Sequence, residues 1–136
     1  MEMKDEQVTT ILCIDDQYEV IELAKLILQR GNYRVVSALG GKEGMRVAKE
    51  VIPDLILLDL MMHDLHGWDV YQHLKAFEAT SHIPIIIVTA KSQSIDKVLG
   101  LHMAKADGYI TKPFMSDELL ENIEQVLSES QMKTAS

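Results

Sequence analysis

Apolar residues along the chain fall into short continuous runs, separated by stretches in which they recur every three or four positions. The runs at 10–14 (TILCI), 34–38 (RVVSA), 55–59 (LILLD), 83–88 (IPIIIV) and 108–111 (GYIT) predict β-strands. LILL and IIIV carry no polar alternation, so these strands are expected to be buried on both faces, as strands of parallel sheets are. Between the runs, 18–30 has Val20, Leu23, Ala24, Ile27 and Leu28 at helical spacing, and 42–51, 68–77, 95–104 and 116–128 are further helix candidates. Gly31-Asn32 and Gly40-Gly41 punctuate the first units, while Pro53 and Pro84 stand just ahead of the third and fourth strand candidates, where they limit helix continuation. Ser116 followed by Asp117 and Glu118 suits the opening turn of the last helix. No repeat or internal linker interrupts the series. The polar ends, 1–7 and 129–136, are expected to fray. Five alternating βα units predict an α/β three-layer sandwich, with helices on both faces of a five-stranded parallel sheet and right-handed crossovers.

Sheets of this kind bind ligands beyond the carboxyl ends of their strands. The chemically distinctive residues stand at those ends: Asp15-Asp16 after the first strand, Asp59 closing the third, Thr89-Ala90 after the fourth and Lys112-Pro113 after the fifth, with Tyr109 inside the fifth. Two adjacent carboxylates repel each other, and a third at a neighbouring strand end adds to the repulsion. Asp15, Asp16 and Asp59 together offer hard oxygen ligands to Mg²⁺, whose charge removes it.

Composition narrows the rest. A chain of 136 residues with 47% hydrophobic content suits one folded domain. Thirteen Lys and Arg against 21 Asp and Glu leave a charge of −8, which argues against direct nucleic-acid binding and favours basic partner surfaces or a divalent cation. Cys13 is the single cysteine, so neither an intrachain disulfide nor a cysteine metal cluster is expected. The start, MEMKDEQVTT, lacks a signal-peptide pattern, and no apolar run is long enough to span a bilayer, which together read as a cytoplasmic protein without membrane contact.

The combination of IDD at 14–16, LLDLMM at 57–62 followed by Gly67, VTA at 88–90 and YITKPF at 109–114 resembles the receiver domain of two-component response regulators. The likeness extends over about 10–128, giving an expected frayed N-terminus at 1–7, a receiver domain at 8–128 and a polar tail at 129–136. It implies the flavodoxin-like, doubly wound strand order 2-1-3-4-5. It also implies that Asp59 is the phosphoacceptor, a carboxylate that attacks the phosphorus of a phosphohistidine or small phosphodonor and becomes an acyl phosphate. Asp16, Asp59 and the backbone carbonyl of Met61 would bind Mg²⁺ (or Mn²⁺ in its place), with Asp15 acting mainly through coordinated water. Lys112 would pair first with Asp59 and then with a phosphoryl oxygen, and Thr89 and the backbone of Leu60 and Ala90 would donate to the others. Thr89 and Tyr109 would form the switch, and Lys112-Pro113 is a candidate cis peptide.

By the same resemblance the expected partners are a sensor histidine kinase or histidine phosphotransfer protein, and an output protein at the surface of the fourth predicted helix, fifth strand and fifth helix. The protein would be a monomer or a weak phosphorylation-dependent dimer. It would be a signalling domain and not an enzyme with a separate substrate. A stand-alone regulator is the first reading, because no output domain fits in the tail; a receiver segment of a longer transcription regulator or hybrid kinase is the alternative. A pseudo-receiver is disfavoured by the full acidic and basic set, and a flavodoxin-like binding module by the lack of a Ser/Thr/Gly-rich loop after the first strand.

Several residues depart from the family pattern or have plainer readings. Met62-His63 stands where many receivers have Met-Pro, which removes a usual restraint on that loop. LHMAKADGY at 101–109 is about one residue longer than the common spacing. Met61 and Lys91, two positions beyond Asp59 and Thr89, match variable sites that often tune how water reaches the acyl phosphate. His63 and His66 read as surface histidines, Gly67 as a turn glycine, Cys13 as a small buried apolar residue, and the eight methionines have no collective role.

Overall fold

The computed structural model describes residues 8–90 and 106–135. The chain alternates β1 (Thr10–Asp15), α1 (Tyr18–Arg30), β2 (Arg34–Leu39), α2 (Gly41–Val51), β3 (Leu55–Asp59), α3 (Gly67–Ala76), β4 (Ile85–Ala90), β5 (Gly108–Lys112) and α4 (Ser116–Ala135). The five strands form one parallel sheet in the order β2-β1-β3-β4-β5, as expected. The helix candidate at 95–104, Lys91 and most of the 101–109 stretch lie outside the described residues.

Strand alternation splits the core in two. Leu12, Ile14, Ile56, Leu58, Ile85 and Ile87 point to one face, where Val47 and Ala48 of α2 and Val70, Tyr71 and Leu74 of α3 cover them. Their chain neighbours Ile11, Cys13, Leu55, Leu57, Ile86 and Val88 point to the other, against Ile21, Ala24, Ile27 and Leu28 of α1 and Leu119, Ile123 and Val126 of α4. The central strands are therefore apolar at consecutive positions because both faces are dry. Each such Leu or Ile contributes about 1.5–3 kcal/mol of burial.

Two elements differ from the sequence expectation by more than one residue at an end; β4 does so at both, and runs on to Ala90, so that Thr89 and Ala90 lie within the strand and not after it. The fourth strand begins at Ile85 instead of 83, because Ile83 N–H donates to the Thr80 carbonyl in a turn and Pro84 has no N–H to give. Asp107 Oδ2 accepts the first free strand N–H, that of Ile85, at 2.8 Å, and Lys75 Nζ donates to the Ile83 carbonyl at 2.8 Å, fastening α3 beneath the strand. The last helix runs to Ala135, past the expected end at 128, so the stretch anticipated as a frayed tail from 129 is helical. ESQMKT holds no Gly or Pro to stop it. Its start follows the expectation: Glu118 Oε1 accepts from Met115 N–H while Leu119 N–H donates to the Met115 carbonyl.

Gly67, read from sequence as a turn glycine, has a stricter role. A Cβ there would lie 2.2 Å from the Asp59 carbonyl oxygen and 2.5 Å from Leu60 Cα. The start of α3 thus rests directly on the backbone that leaves β3. Gly67→Ala is expected to destabilise the protein by at least about 2 kcal/mol in urea unfolding, since a backbone clash cannot be relieved by a rotamer change; an unchanged midpoint would contradict this packing.

Candidate functional site

The same alternation that sorts the core aims the site. Asp15, Asp59 and Lys112 stand two residues beyond Cys13, Leu57 and Ile110, and so continue the face covered by α1 and α4. In the β1–β3 register Ile14 is level with Leu58, which brings Asp15 and Asp59 side by side at the next step. Lys112 comes from β5, separated from β3 by β4, and only a long side chain spans that gap of about two strand spacings. Its ammonium lies 3.0 Å from Asp15 Oδ2 and 3.3 Å from Asp59 Oδ1. A third acceptor, Gln17 Oε1, stands 3.4 Å away, so the three N–H bonds of the ammonium have three partners. Gln17 also donates its backbone N–H to Asp15 Oδ1 at 2.9 Å. Nothing in the sequence singled out Gln17; its place next to the Asp15-Asp16 pair, at the head of α1, is the signal that could have.

Burial dominates the electrostatics. Asp59 is 4% exposed, and its carboxyl is pushed up to about 6 by burial and by the neighbouring Asp15 charge, with Lys112 pulling the other way. Burial disfavours the Lys112 ammonium, but Asp59 and Asp15 outweigh it and hold its pKa above the ordinary lysine value. Burial also acts upward on Asp16; donors from His63 overcome it and leave that carboxyl below the usual range. Cys13, under the cluster, is pushed up to about 12, chiefly by burial, and stays an inert thiol.

Asp15, Asp16 and Asp59 each offer an oxygen, and these oxygens lie within 4.8 Å of one another. Three carboxylates against one ammonium leave the cluster negative. An oxygen-only donor set of this charge fits a hard divalent cation and lacks the thiolate or imidazole that softer metals favour.

The remaining predicted residues are distributed less simply. Thr89, level with Thr111 on β5, is buried, and its Oγ1 has no hydrogen-bond partner among the described residues. Ile87 pairs with Tyr109, so Thr89 and Tyr109 share the sheet face opposite Asp59; Tyr109 is 38% exposed. Ala90 ends β4 and Pro113 follows Lys112 through a cis peptide bond, the isomer that the resemblance offered as a candidate and the sequence left open. Leu60 departs from expectation. Its N–H, anticipated as a phosphoryl donor, extends the sheet ladder by donating to the Val88 carbonyl at 3.0 Å. The neighbouring Met61 N–H, not singled out from sequence, helps to hold the Asp59 carboxyl down.

The loop from Leu60 to His66 is tied down twice. Asp64 accepts from the N–H groups of Gly41 (2.9 Å) and Lys42 (3.0 Å), capping α2, which enters through Gly40 at φ +105. His63 donates to Asp16. His66, read as a surface histidine, caps α3 by accepting from Trp68 N–H at 3.1 Å.

In metal-free protein the raised Asp59 pKa has a defined consequence. A folded value near 6 above the ordinary 3.8 means that the native state holds the proton more tightly. Its contribution to stability is full below about pH 4 and lost as pH rises through about 6. Asp59→Asn in EDTA is therefore expected to be more stable than wild type by about 1–2 kcal/mol at pH 7.5, less than the whole shift because Lys112 loses a partner, with the gain fading towards pH 4. Urea unfolding across pH measures it; a difference that does not change with pH would contradict the assignment.

Comparison with known proteins agrees with this geometry. The family model for the response regulator receiver domain matches residues 11–124. The chain is 36% identical over 126 residues to the alkaline phosphatase synthesis transcriptional regulatory protein PhoP of Bacillus subtilis, covering 93% of this chain and 51% of PhoP. It is 38% identical over 117 residues to the DNA-binding dual master transcriptional regulator RpaA of Synechocystis, covering 86% and 48%. The chain thus spans about half the length of these relatives. Among solved structures, a CheY-like response regulator receiver domain protein from Methanospirillum hungatei superposes with a TM-score of 0.81 at 29% identity, covering 93% of this chain and 99% of that one. The signal receiver domain of a histidine kinase from Syntrophus aciditrophicus gives 0.81 at 30%, covering 90% and 92%. With its family model matched over most of its length and its acidic strand ends gathered around one lysine, the chain belongs to the response regulator receiver domain family.

Proposed function

We propose that this domain is a phosphorylation-dependent signalling switch that receives a phosphoryl group on Asp59 from a histidine kinase or histidine phosphotransfer protein. The observation that carries this reading is the buried Asp59 carboxylate, held 3.3 Å from the Lys112 ammonium at the end of β3 beside two further carboxylates. Asp15, Asp16, Asp59 and the Met61 carbonyl would hold Mg²⁺, or Mn²⁺ in its place. When bound, the ion supplies positive charge to the oxygens of the transferring group.

Asp59 is the nucleophile. One of its carboxylate oxygens forms the new O–P bond while the P–N bond to the donor imidazole breaks, and that electron pair leaves with the ring nitrogen. Lys112 follows the charge, exchanging contact with Asp59 for a phosphoryl oxygen, while Gln17 and Asp15 keep its stem in place. Thr89 Oγ1, buried without a partner among the described residues, gains an acceptor when it turns towards the new oxygens. The N–H groups of Ala90 and Met61 are the backbone donors of this reading. Positioning and neutralisation of charge are the main requirements of such a transfer.

Movement of Thr89 vacates space on the face it shares with Tyr109, which favours an inward Tyr109 rotamer and alters the surface of β5 and α4. The rest of the expected output surface, at 95–104, lies outside the described residues. A charge of −8 disfavours a phosphate backbone, so the reading gives this domain a protein partner. No helix among the described residues is long and apolar enough to cross a membrane. We place the receiver unit at 8–128 with α4 extending beyond it. A second reading, the receiver portion of a longer transcription regulator, is favoured by coverage of only about half of PhoP and RpaA.

Acetyl phosphate with Mg²⁺ is expected to add one acid-labile phosphoryl group to the wild type and none to Asp59→Asn, as read by intact-mass spectrometry. Undiminished incorporation in Asp59→Asn, mapped to another residue, would contradict the assignment.

A further inference from the structure

We infer that His63 is a positioning residue for the cation site, an outer partner that fixes the Asp16 carboxylate from the solvent side. The inference rests on the cation-binding reading above and concerns a residue that stands where many receivers have a proline. Proline has no N–H, whereas His63 uses both of its donors on one atom: the backbone N–H reaches Asp16 Oδ2 at 2.8 Å and ring Nδ1 reaches the same oxygen at 2.6 Å. An ionised carboxylate only accepts, so Nδ1 carries the proton in this contact.

Distance argues against the ring as a further ligand of the same ion. The carboxylate oxygens able to share an ion lie within 4.8 Å of one another, and that set holds Asp15, Asp16 and Asp59 without His63. The ring is 99% exposed against 15% for the Asp16 side chain, so it braces the carboxylate from outside. Carboxylates that bind metals are commonly oriented by such partners, and losing one typically weakens binding 10–100-fold. Exposure of this ring places the expected effect lower. The next residue makes the contact separable from the fold, because Asp64 anchors the same loop to the N–H groups of Gly41 and Lys42. Trimming the His63 ring therefore leaves the loop attached.

The test is Mg²⁺ binding by calorimetry, repeated with Mn²⁺ by water-proton relaxation, on wild type, His63→Ala, His63→Asn and His63→Pro. His63→Ala is expected to bind both ions about 3–10-fold more weakly, and His63→Pro at least as weakly because both donors are gone. His63→Asn, whose amide nitrogen stands near the position of Nδ1, is expected to recover most of the loss. Unfolding in EDTA should be the same for wild type, Ala and Asn variants, and the metal-free backbone signals of Asp16 and Gln17 should shift in Ala and return towards wild type in Asn. Equal affinity in wild type and His63→Ala would overturn the inference while leaving the cation site standing, and so would tighter binding in His63→Ala, which would make the ring a competitor of the ion. Absence of Mg²⁺ binding by the wild type would overturn the underlying reading as well.

Discussion

Everything at the carboxyl ends of this sheet depends on one half-buried ammonium held against two buried carboxylates. At separations near 3 Å and the effective dielectric of a protein site, each attraction is worth several kcal/mol, and the desolvation it opposes is of the same order. Without that positive charge the Asp59 carboxyl would be pushed higher still, and the single lysine does not complete the neutralisation. The Asp59 carboxyl accordingly stays above its ordinary range even with Lys112 at 3.3 Å. In the proposed reading, a site left negative and partly uncompensated suits an added cation, and a phosphoryl group would bring its own oxygens to the lysine.

The fold provides this arrangement through order and parity. Adjacent β1 and β3 supply the two aspartates at one level and on one face, while β5, on the far side of β4, supplies a side chain long enough to cross it. Parallel strands buried on both faces carry no polar residues until their ends, so the first charges after each apolar run fall in one layer. Beyond that layer the loops are held by polar contacts: Asp64 on α2, His66 on α3, His63 on Asp16, and Gly67 pressed against the backbone after Asp59. Asp59 is thus presented by a buried central strand and flanked by tethered loops.

The strand pattern and the convergence of Asp15, Asp16, Asp59 and Lys112 were legible in the sequence, because continuous apolar runs and the residues ending them report burial and position directly; the sheet order came from the family resemblance alone. The partners of those charges were not. Gln17 and Asp64 are ordinary polar residues whose roles arise only when chain segments 95 and 23 positions apart meet. His63 and His66 read as surface histidines because a hydrogen bond to a backbone amide or a distant carboxylate leaves no local pattern. Leu60 was cast as a donor from resemblance, yet the ladder to β4 engages its N–H. The length of α4 was underestimated because polar composition was taken for fraying, although it contained no helix breaker.

The account's central claim is that Asp59 receives the phosphoryl group and that Lys112 and the Thr89 hydroxyl, which has no partner among the described residues, turn to meet it. A crystal structure grown with Mg²⁺ and beryllofluoride tests this most directly. The account predicts the beryllium adduct on Asp59, with Lys112 Nζ and Thr89 Oγ1 each within hydrogen-bond distance of a fluoride. An adduct on Asp15 or Asp16, or an Asp59 adduct with Thr89 Oγ1 still without a partner, would contradict it.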